Sequence, residues 1–392
     1  MRTNTHRILS LILTLCLLSA LLLPAASAES SPTVPIATEP DPGLTAKSAV
    51  LMEASTGKIL YQKNSEEAMP PASVTKIMTL LLVMERIDAG TLKWEDTVTA
   101  SARAASMGGS QIYLKEGEQM TVRDLIKSVV IASANDAAVA LAEHTYGSEE
   151  AFVKRMNERA AELGMTATHF ENTNGLDDTA QNHVTSAGDI AIMSRELIRH
   201  EEILEFSSTW MDTIRDGQFG LTNTNRLVRF YRGCNGLKTG STKKAGFCVS
   251  VTAEREGMTL ICVIMGAESR DIRNAEAQRL LDWGFATYGL FTAKGGSLTP
   301  LRVTGGTADR AAISYPTFTA VLPKSDLNSV EHTVTLPESF KAPLRAGETV
   351  GKITYTCKGQ PLGEIPITAT ETVERLSLWG LWWRMVKAWI EG

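Results

Sequence analysis

Three short motifs occur in a fixed order along the chain: SVTK at Ser73–Lys76, SAN at Ser133–Asn135 and KTG at Lys238–Gly240. Together they supply what acyl transfer at a serine requires, namely a hydroxyl nucleophile, a lysine base and donors that bind a substrate. The motifs can act together only if the fold brings them to one cleft, although long stretches of chain separate them. This requirement restricts the fold more than composition does.

The first motif is predicted to lie near the start of a buried helix. Pro70 and Pro71 precede it, and the mostly apolar run Ile77–Leu82 follows. The i,i+3 spacing puts Ser73 and Lys76 on one face, where the helix N-terminus favours a developing oxyanion. Lysine can take the serine proton only if burial or a nearby cation keeps part of it neutral. Taken alone, the motif also fits a chance match at a surface lysine.

The second motif is predicted to form a loop between two helices. An apolar stretch, Leu125–Ala132, precedes it, and a helix-like segment, Asp136–Glu143, follows. From such a loop Ser133 would pass a proton between lysine and leaving group, and Asn135 would hydrogen-bond the substrate backbone. Taken alone, these residues fit an ordinary helix N-cap better, because Ser, Asn and Asp are the commonest caps.

The third motif is predicted to lie on a strand at the edge of a sheet. Turn residues and then an alternating apolar pattern, Phe247–Val251, follow it. Gly240 would let a substrate backbone approach, and the Ser241 amide would be an oxyanion donor. Donors for a terminal carboxylate are Lys238, Thr239 and Thr242. The alternative is a hairpin turn with solvated lysines.

Four segments carry a family resemblance: PPASVTKIMT, SANDAA, FENTNGLDD (Phe170–Asp178) and GLKTGST. In them the chain resembles the low-molecular-mass penicillin-binding proteins that are serine-type D-alanyl-D-alanine carboxypeptidases, peptidase family S11. The resemblance implies an α+β fold. It would comprise a β-lactamase-like transpeptidase domain, built from an antiparallel sheet with a helical subdomain, then a small all-β domain and a C-terminal amphipathic helix.

The resemblance also implies roles for individual residues. Ser73 would be the acyl-ester nucleophile, Lys76 its proton acceptor and Ser133 the third catalytic residue. The backbone amides of Ser73 and Ser241 match the family's oxyanion hole. Substrate binding would fall to Asn135, Lys238, Thr239, Ser241, Thr242 and Arg273. For Arg273 the alternative is a surface arginine that opens a helix.

The implied activity is removal of the terminal D-alanine from peptidoglycan pentapeptide stems, with β-lactams as covalent inhibitors and without a metal or organic cofactor. Rivals on the same scaffold are a β-lactamase and a D,D-endopeptidase. A lactamase should hold a glutamate over the ester; Glu171 lies near the right part of the chain, but its setting, FENTNGL, matches the carboxypeptidase pattern. A non-catalytic wall-binding protein is a rival that the intact Ser73 and Lys76 disfavour.

The N-terminus predicts export. Arg2 and Arg7 precede the apolar stretch Ile8–Leu23, and Ala26–Ala28 resembles a signal-peptide cleavage site. An uncleaved anchor is disfavoured because the apolar core is shorter than the about 20 residues that span a bilayer. Cleavage after residue 28 of 392 would leave 364 residues, and losing two arginines would change the net charge from −5 to −7. That charge disfavours nucleic-acid binding.

Four cysteines remain after such cleavage, and they are widely spaced: Cys234, Cys248, Cys262 and Cys357. Cys16 would leave with the signal peptide. Without a CxxC pair or a histidine cluster, buried free thiols are the simplest interpretation. A disulfide between Cys248 and Cys262 remains open, because the two are expected on strands that could be neighbours.

Hydrophobic patterning divides the chain into a signal peptide (1–28), a flexible leader (29–44), a catalytic domain (45–294), a small β-sandwich domain (297–370) and an anchor helix (372–392). The first strand is predicted at Ser48–Glu53. Strand-like segments at 49–60 and 246–265 flank a mainly helical middle, and a last helix is predicted at 275–291. In the β domain, strands are predicted at Thr317–Leu322, His332–Leu336, Val350–Tyr355 and Gly363–Thr368.

The segment Leu376–Gly392 holds four of the seven tryptophans. On a helix, one face would carry Leu378, Trp379, Trp382, Trp383, Met385, Val386, Trp389 and Ile390. Arg384, Lys387 and Glu391 would lie opposite. This pattern predicts a helix in the plane of a membrane surface. The alternative is a helix packed on the protein's own core.

Overall fold

The computed structural model describes residues 42–177 and 180–391. The signal peptide predicted for residues 1–28, with Cys16, and residues 29–41 of the predicted leader lie outside these ranges. The described residues belong to one compact unit.

The first part of the described chain mixes strands and helices. Its strands are β1 (Ser48–Glu53), β2 (Ile59–Lys63), β3 (Thr97–Thr99), β4 (Gln119–Thr121), β5 (Met211–Ile214), β6 (Phe219–Thr222), β7 (Cys234–Thr242), β8 (Gly246–Arg255) and β9 (Met258–Ala267). Its helices are α1 (Lys76–Asp88), α2 (Ala102–Ala105), α3 (Val122–Ile131), α4 (Asn135–Tyr146), α5 (Glu149–Glu162), α6 (Ala187–Leu197), α7 (Glu202–Ser207), α8 (Leu227–Phe230) and α9 (Arg270–Thr287). A 3-10 turn, Ala72–Thr75, leads into α1.

The central sheet is antiparallel and five-stranded, in the order β2-β1-β9-β8-β7. Successive side chains of a strand point to opposite faces. Val50 and Met52 of β1 therefore join the core shared with the helical middle, whereas Ala49 and Leu51 join the core beneath α9. Strand β7, which carries the third motif, forms one edge of the sheet.

Helix α1 is the centre of the helical region. Its residues Lys76–Met84 are buried on every face, as expected of a helix that is apolar all round. The one long polar side chain in this stretch is Lys76, at the first position of the helix.

The second part of the described chain is mainly strands: β10 (Tyr288–Ala293), β11 (Gly296–Thr304), β12 (Arg310–Tyr315), β13 (Phe318–Pro323), β14 (Val330–Thr335), β15 (Ser339–Lys341), β16 (Thr349–Cys357) and β17 (Gln360–Ala369). Six of them form a sheet in the order β14-β16-β17-β12-β11-β15, while β10 pairs with β13. A 3-10 turn, Lys324–Ser329, precedes β14. Helix α10 (Leu378–Glu391) ends the described chain. The predicted α+β class with a following all-β region is confirmed.

Two strand-like segments predicted from the sequence each contain a hairpin. The first turns after β1 because the Glu53 carboxylate accepts hydrogen bonds from the backbone N–H groups of Ser55 and Thr56. The second turns at Glu256 and Gly257, both with positive φ. In both segments, turn residues within the predicted strand-like run end one strand and begin the next.

The helix predicted at 275–291 is displaced along the chain. Helix α9 begins at Arg270, because Ser269 Oγ accepts a hydrogen bond from the Ile272 N–H and caps it. It ends at Thr287, because Tyr288–Ala293 pairs with β13 instead. Pairing with a strand distant in sequence therefore ends the helix earlier than the apolar pattern predicted.

All four described cysteines are buried free thiols. Cys248 lies in the core on the helical side of the sheet and Cys262 in the core beneath α9. Because the two thiols face opposite sides of the sheet, the disulfide considered from sequence does not form.

Helix α10 leaves its apolar face uncovered. Its exposed side chains are Leu378, Trp379, Trp382, Trp383, Met385, Trp389 and Ile390, with exposed fractions of 54–86%. On the other side, Arg384 pairs with Asp309 at 2.6 Å and donates to the Gly306 carbonyl. Packing of the apolar face on the protein's own core is therefore wrong for these side chains. Within the described ranges, no helix has both the length and the hydrophobicity needed to cross a membrane.

Candidate active site

The nucleophile candidate, Ser73, lies in the 3-10 turn ahead of α1 and is half-buried. Strand β7 packs directly against this turn at Gly240. A Cβ there would lie 2.8 Å from the backbone nitrogen of Ser73 and 2.9 Å from the oxygen of Pro71. Gly240 was expected to admit a substrate backbone, but the structure gives a different reason for glycine: it admits the turn that carries Ser73.

Lys76 is fully buried and makes three short contacts. Its Nζ lies 2.9 Å from Ser73 Oγ, 2.5 Å from Asn135 Oδ1 and 2.8 Å from the Asn174 carbonyl oxygen. The Asn135 amide is oriented by its Nδ2, which donates to the Gly108 carbonyl. Both oxygens can only accept, so they take the two hydrogens of a neutral amine. The lone pair then faces the Ser73 hydroxyl.

Electrostatics favour this neutral form. Burial has the largest effect and lowers the pKa of Lys76 well below its usual value; the positive charge of Lys238 lowers it further, and the carboxylate of Asp136 opposes both. The lowered pKa favours the neutral amine, which is the form that a proton acceptor needs.

Ser133 and Lys238 form a second pair. Ser133 lies between α3 and α4 with a positive φ of 63°, and Lys238 Nζ donates to its Oγ at 2.8 Å and to the Thr239 carbonyl at 3.0 Å. Burial, and then the charge of Arg273, lowers the pKa of Lys238 to about 7. Ser133 and Ser73 both line the same cleft, so the two serine–lysine pairs meet there.

The remaining predicted residues of β7 divide into two groups. Thr239 and Ser241 line the cleft, and Thr239 Oγ1 donates to Thr224 Oγ1 at 2.8 Å. Thr242 instead accepts a hydrogen bond from the Ala245 N–H at 3.0 Å, within the hairpin turn, and it does not line the cleft.

Arg273 is buried in the first turns of α9, with 2% of its surface exposed. It donates to Asn274 Oδ1 and to the Cys248 carbonyl while lining the cleft. Burial lowers its pKa to about 10. A surface arginine, the alternative considered from sequence, is therefore wrong.

The cleft has a volume of about 570 Å³. Sequence reasoning missed much of its wall, which hairpin β5–β6, α8 and the start of α9 provide. The missed lining residues are Ser110, Trp210, Thr222, Asn223, Thr224, Arg226, Phe230 and Arg270. No short motif marks them, and none of the lining residues is acidic.

Two buried polar residues that support the site were also missed. Asp136, directly after the second motif, accepts hydrogen bonds from the backbone N–H groups of Ile112 and Leu114. His183 Nδ1 accepts from the Glu171 N–H, so its neutral ring carries the proton on Nε2, 2.7 Å from Thr75 Oγ1. Burial lowers the pKa of His183 to about 4, so this ring braces the turn that bears Ser73 in its neutral form.

Glu171 lies away from the serine. Its carboxylate accepts hydrogen bonds from the backbone N–H groups of Gln181 and Asn182, and it does not line the cleft that contains Ser73. These interactions stabilise a loop. A β-lactamase would instead need this carboxylate over the ester on Ser73.

Comparison with known proteins identifies both parts of the chain. The model of the peptidase S11 family, described as D-alanyl-D-alanine carboxypeptidase, matches residues 35–269, and that of the C-terminal domain of penicillin-binding protein 5 matches residues 289–375. The D-alanyl-D-alanine carboxypeptidase DacF of Bacillus subtilis is 42% identical over 337 residues, which cover 84% of this chain and 86% of that protein.

Solved structures agree with the sequence matches. Penicillin-binding protein 5 from Haemophilus influenzae has a TM-score of 0.76 and 30% identity, with 86% of this chain and 99% of that one covered. Penicillin-binding protein D2 from Listeria monocytogenes, in its ampicillin-bound form, has a TM-score of 0.58 and 34% identity, with 63% and 100% covered. All three motifs fall inside the matched S11 region, and the chain belongs to the D-alanyl-D-alanine carboxypeptidases of peptidase family S11.

Proposed function

We propose that this enzyme removes the terminal D-alanine from peptidoglycan pentapeptide stems through an acyl-enzyme on Ser73. The observation that carries the proposal is the set of contacts around Lys76, whose Nζ lies 2.9 Å from Ser73 Oγ and within hydrogen-bond distance of two carbonyl oxygens. In the neutral amine these two oxygens take its hydrogens, and its lone pair faces Ser73 Oγ. This is the geometry of a base beside its nucleophile.

Acylation begins when Lys76 takes the Ser73 proton and Oγ attacks the carbonyl carbon of the penultimate D-alanine. The carbonyl oxygen becomes negative as the Oγ–C bond forms. The backbone N–H groups of Ser73 and Ser241 are the proposed donors to it. Ser73 precedes α1, and the first N–H groups of a helix have no partner within the helix, whereas Ser241 lies on β7 at the edge of the sheet.

The C–N bond to the terminal D-alanine then breaks, and its amine needs a proton. We assign delivery to Ser133, whose hydroxyl receives a hydrogen bond from Lys238. Ser133 then regains a proton from Lys76, which passes on the one it took from Ser73 and returns to its neutral form. Water then attacks the ester and Ser73 is regenerated. Lys76 accepts the proton of that water, by the same geometry that serves the first step, and gives it to Ser73 Oγ as the ester C–O bond breaks.

Substrate binding follows from the charges of the cleft. We assign the terminal carboxylate to Thr239 and Arg273, with Lys238 adding positive charge, and the substrate amide to Asn135. We assign Ser241 to binding the substrate along the edge strand β7. Thr242 acts through the shape of the hairpin turn, since its hydroxyl already accepts the Ala245 N–H.

The proposed division of the chain keeps the boundaries read from sequence: an exported precursor with a signal peptide at 1–28, a leader at 29–44, a catalytic domain at 45–294, a β domain at 297–370 and an anchor at 372–392. We propose that α10 lies in the outer surface of the cytoplasmic membrane. Its exposed tryptophans and the attachment of Arg384 to Asp309 support a helix that presents its apolar face outward.

The test measures D-alanine released from a pentapeptide by the wild type and by Ser73→Ala, and penicillin hydrolysis in parallel. We expect D-alanine release that requires Ser73, and slow turnover of penicillin. Full release by Ser73→Ala would overturn the mechanism. Fast penicillin turnover by the wild type would favour the β-lactamase. A wild type that binds the pentapeptide but releases no D-alanine would favour the non-catalytic wall-binding protein.

A further inference from the structure

A loop distant in sequence from the third motif is connected directly to the Ser73–Lys76 pair. Residues 107–118 run between α2 and β4 and supply Ser110 to the cleft. The Asn135 side chain donates to the Gly108 carbonyl at 2.7 Å, and its backbone N–H donates to the Ser110 carbonyl at 2.7 Å. The Oδ1 of the same Asn135 contacts Lys76. The position of this loop therefore affects the amide that orients the base.

Within this loop, the residue Ile112 is held from both sides. Its N–H donates to the carboxylate of Asp136, at 3.1 and 3.2 Å to the two oxygens. Its carbonyl accepts a hydrogen bond at 2.9 Å from Nη1 of Arg215. Ile112 itself is fully buried, and its hydrogen bond to Asp136 is buried as well, so water does not readily replace that bond.

Arg215 lies in the turn of hairpin β5–β6, about a hundred residues further along the chain. Besides Ile112, it pairs through Nε with Glu118 Oε1 at 2.7 Å, at the far end of the same loop. Its guanidinium lies 5.3 Å from the centre of the Phe219 ring, which in turn meets Tyr113 edge-on. A single side chain thus ties the hairpin to the middle and the end of the loop.

We propose that Arg215 is a positioning residue for acyl transfer: by fixing the loop 107–118 against hairpin β5–β6, it holds Asn135, and through it Lys76, in line with Ser73. This inference rests on the proposed function. Arg215 touches neither the serine nor the cleft, so its effect on the reaction acts through the loop.

The experiment compares Arg215→Ala, Arg215→Lys and Glu118→Gln with the wild type. It measures kcat and KM for D-alanine release, the rate of penicillin acylation, and Tm. For Arg215→Ala we expect kcat and the acylation rate to fall about ten- to a hundredfold, the scale of a small misplacement of catalytic groups, with a smaller change in KM. Arg215→Lys should recover part of the loss, and Glu118→Gln should lose less because the bond to Ile112 remains.

The pair Arg159–Glu85 provides a matched control. Its separation of 2.8 Å is close to the 2.7 Å of Arg215–Glu118, and its side-chain exposure is similar, 21% and 26% against 25% and 22%. It joins α5 to α1 without touching the loop. Arg159→Ala should lower Tm by a similar few degrees and leave kcat unchanged.

Equal kcat in Arg215→Ala and the wild type, or an equal loss in Arg159→Ala, would overturn the inference. So would a change in KM alone, since that would assign the loop only to substrate binding. If Arg215→Ala does not fold, unchanged kcat in both Arg215→Lys and Glu118→Gln would also overturn it. An inactive wild type would instead contradict the proposed function.

Discussion

Lys76 Nζ lies 2.9 Å from Ser73 Oγ, while carbonyl oxygens of Asn135 and Asn174 accept at its other two positions. This arrangement gives the lysine a fixed direction, while burial lowers its pKa. Burial favours the neutral amine, and in that form the two acceptors take its hydrogens and leave its lone pair facing the serine.

Replacing Lys76 by methionine removes this base while filling much of the same volume. We expect kcat/KM for D-alanine release to fall about 10²- to 10⁴-fold, the usual contribution of a general base. Circular dichroism should show a folded protein. Near-normal activity of the folded variant would exclude Lys76 as the proton acceptor.

The charge of Lys238 influences the pH at which Lys76 works. Burial is the largest cause of the low pKa of Lys76, and Lys238 is the second. Removing that positive charge in Lys238→Gln should raise the pKa of Lys76, so the acid limb of the acylation profile should move to higher pH. The measurement is the rate of penicillin acylation against pH, with the exposed Lys243→Gln as control. A limb that does not move, or moves to lower pH, would contradict the assignment.

Lys238 should also make stability depend on pH. Its pKa is about 7 in the folded protein, against an ordinary value of 10.5. Between these values the unfolded chain binds a proton that the folded chain lacks, so the free energy of unfolding should rise with pH. This one group contributes at most about 1.4 kcal/mol per pH unit. Urea unfolding at about pH 6 and about pH 9 should show a smaller rise for Lys238→Met than for the wild type; equal rises would argue against the low pKa.

Gly240→Ala tests the contact between β7 and the turn of Ser73. The added methyl group would meet backbone atoms of Ser73, Val74 and Pro71 at 2.8–2.9 Å, and backbone atoms cannot move aside cheaply. We expect a loss of about 1–3 kcal/mol in stability together with slower penicillin acylation. At Gly220 of β6 a Cβ would meet nothing within 4 Å, so Gly220→Ala should leave acylation unchanged. Normal acylation in Gly240→Ala would show that the turn does not depend on this packing.

Removal of α10 should separate membrane binding from catalysis. A chain that ends at Ser377 keeps Val373, which is buried in the core of the β domain, and loses the exposed tryptophans. We expect it to lose sedimentation with anionic vesicles, since tryptophan prefers the headgroup region. Its kcat for a soluble pentapeptide should match that of the full chain. Continued sedimentation of the shortened chain would refute the anchor.

The sequence predicted the parts of the site that lie within motifs. Ser73 with Lys76, and Ser133 with Asn135, sit close together in the chain, so the local geometry of a helix start and of a short loop relates them. The resemblance assigned Ser133 and Lys238 separate roles at one site, but their pairing across 105 positions was not predicted.

Other features depend on packing that local patterns do not encode. The burial of Arg273 follows from which face of α9 meets the sheet, and the helix itself was predicted too late in the chain. His183 meets Thr75 across 108 positions, and the wall formed by Arg226, Phe230 and hairpin β5–β6 carries no motif. Such long-range contacts become visible only in the folded chain.

The most direct test of the central claim is intact-protein mass spectrometry of the wild type after reaction with penicillin, followed by peptide mapping, with Ser73→Ala in parallel. If Ser73 is the nucleophile, the wild type will carry a persistent adduct of one penicillin on the peptide that contains Ser73, and Ser73→Ala will carry none. An adduct on another residue, or an equal adduct on Ser73→Ala, would contradict it.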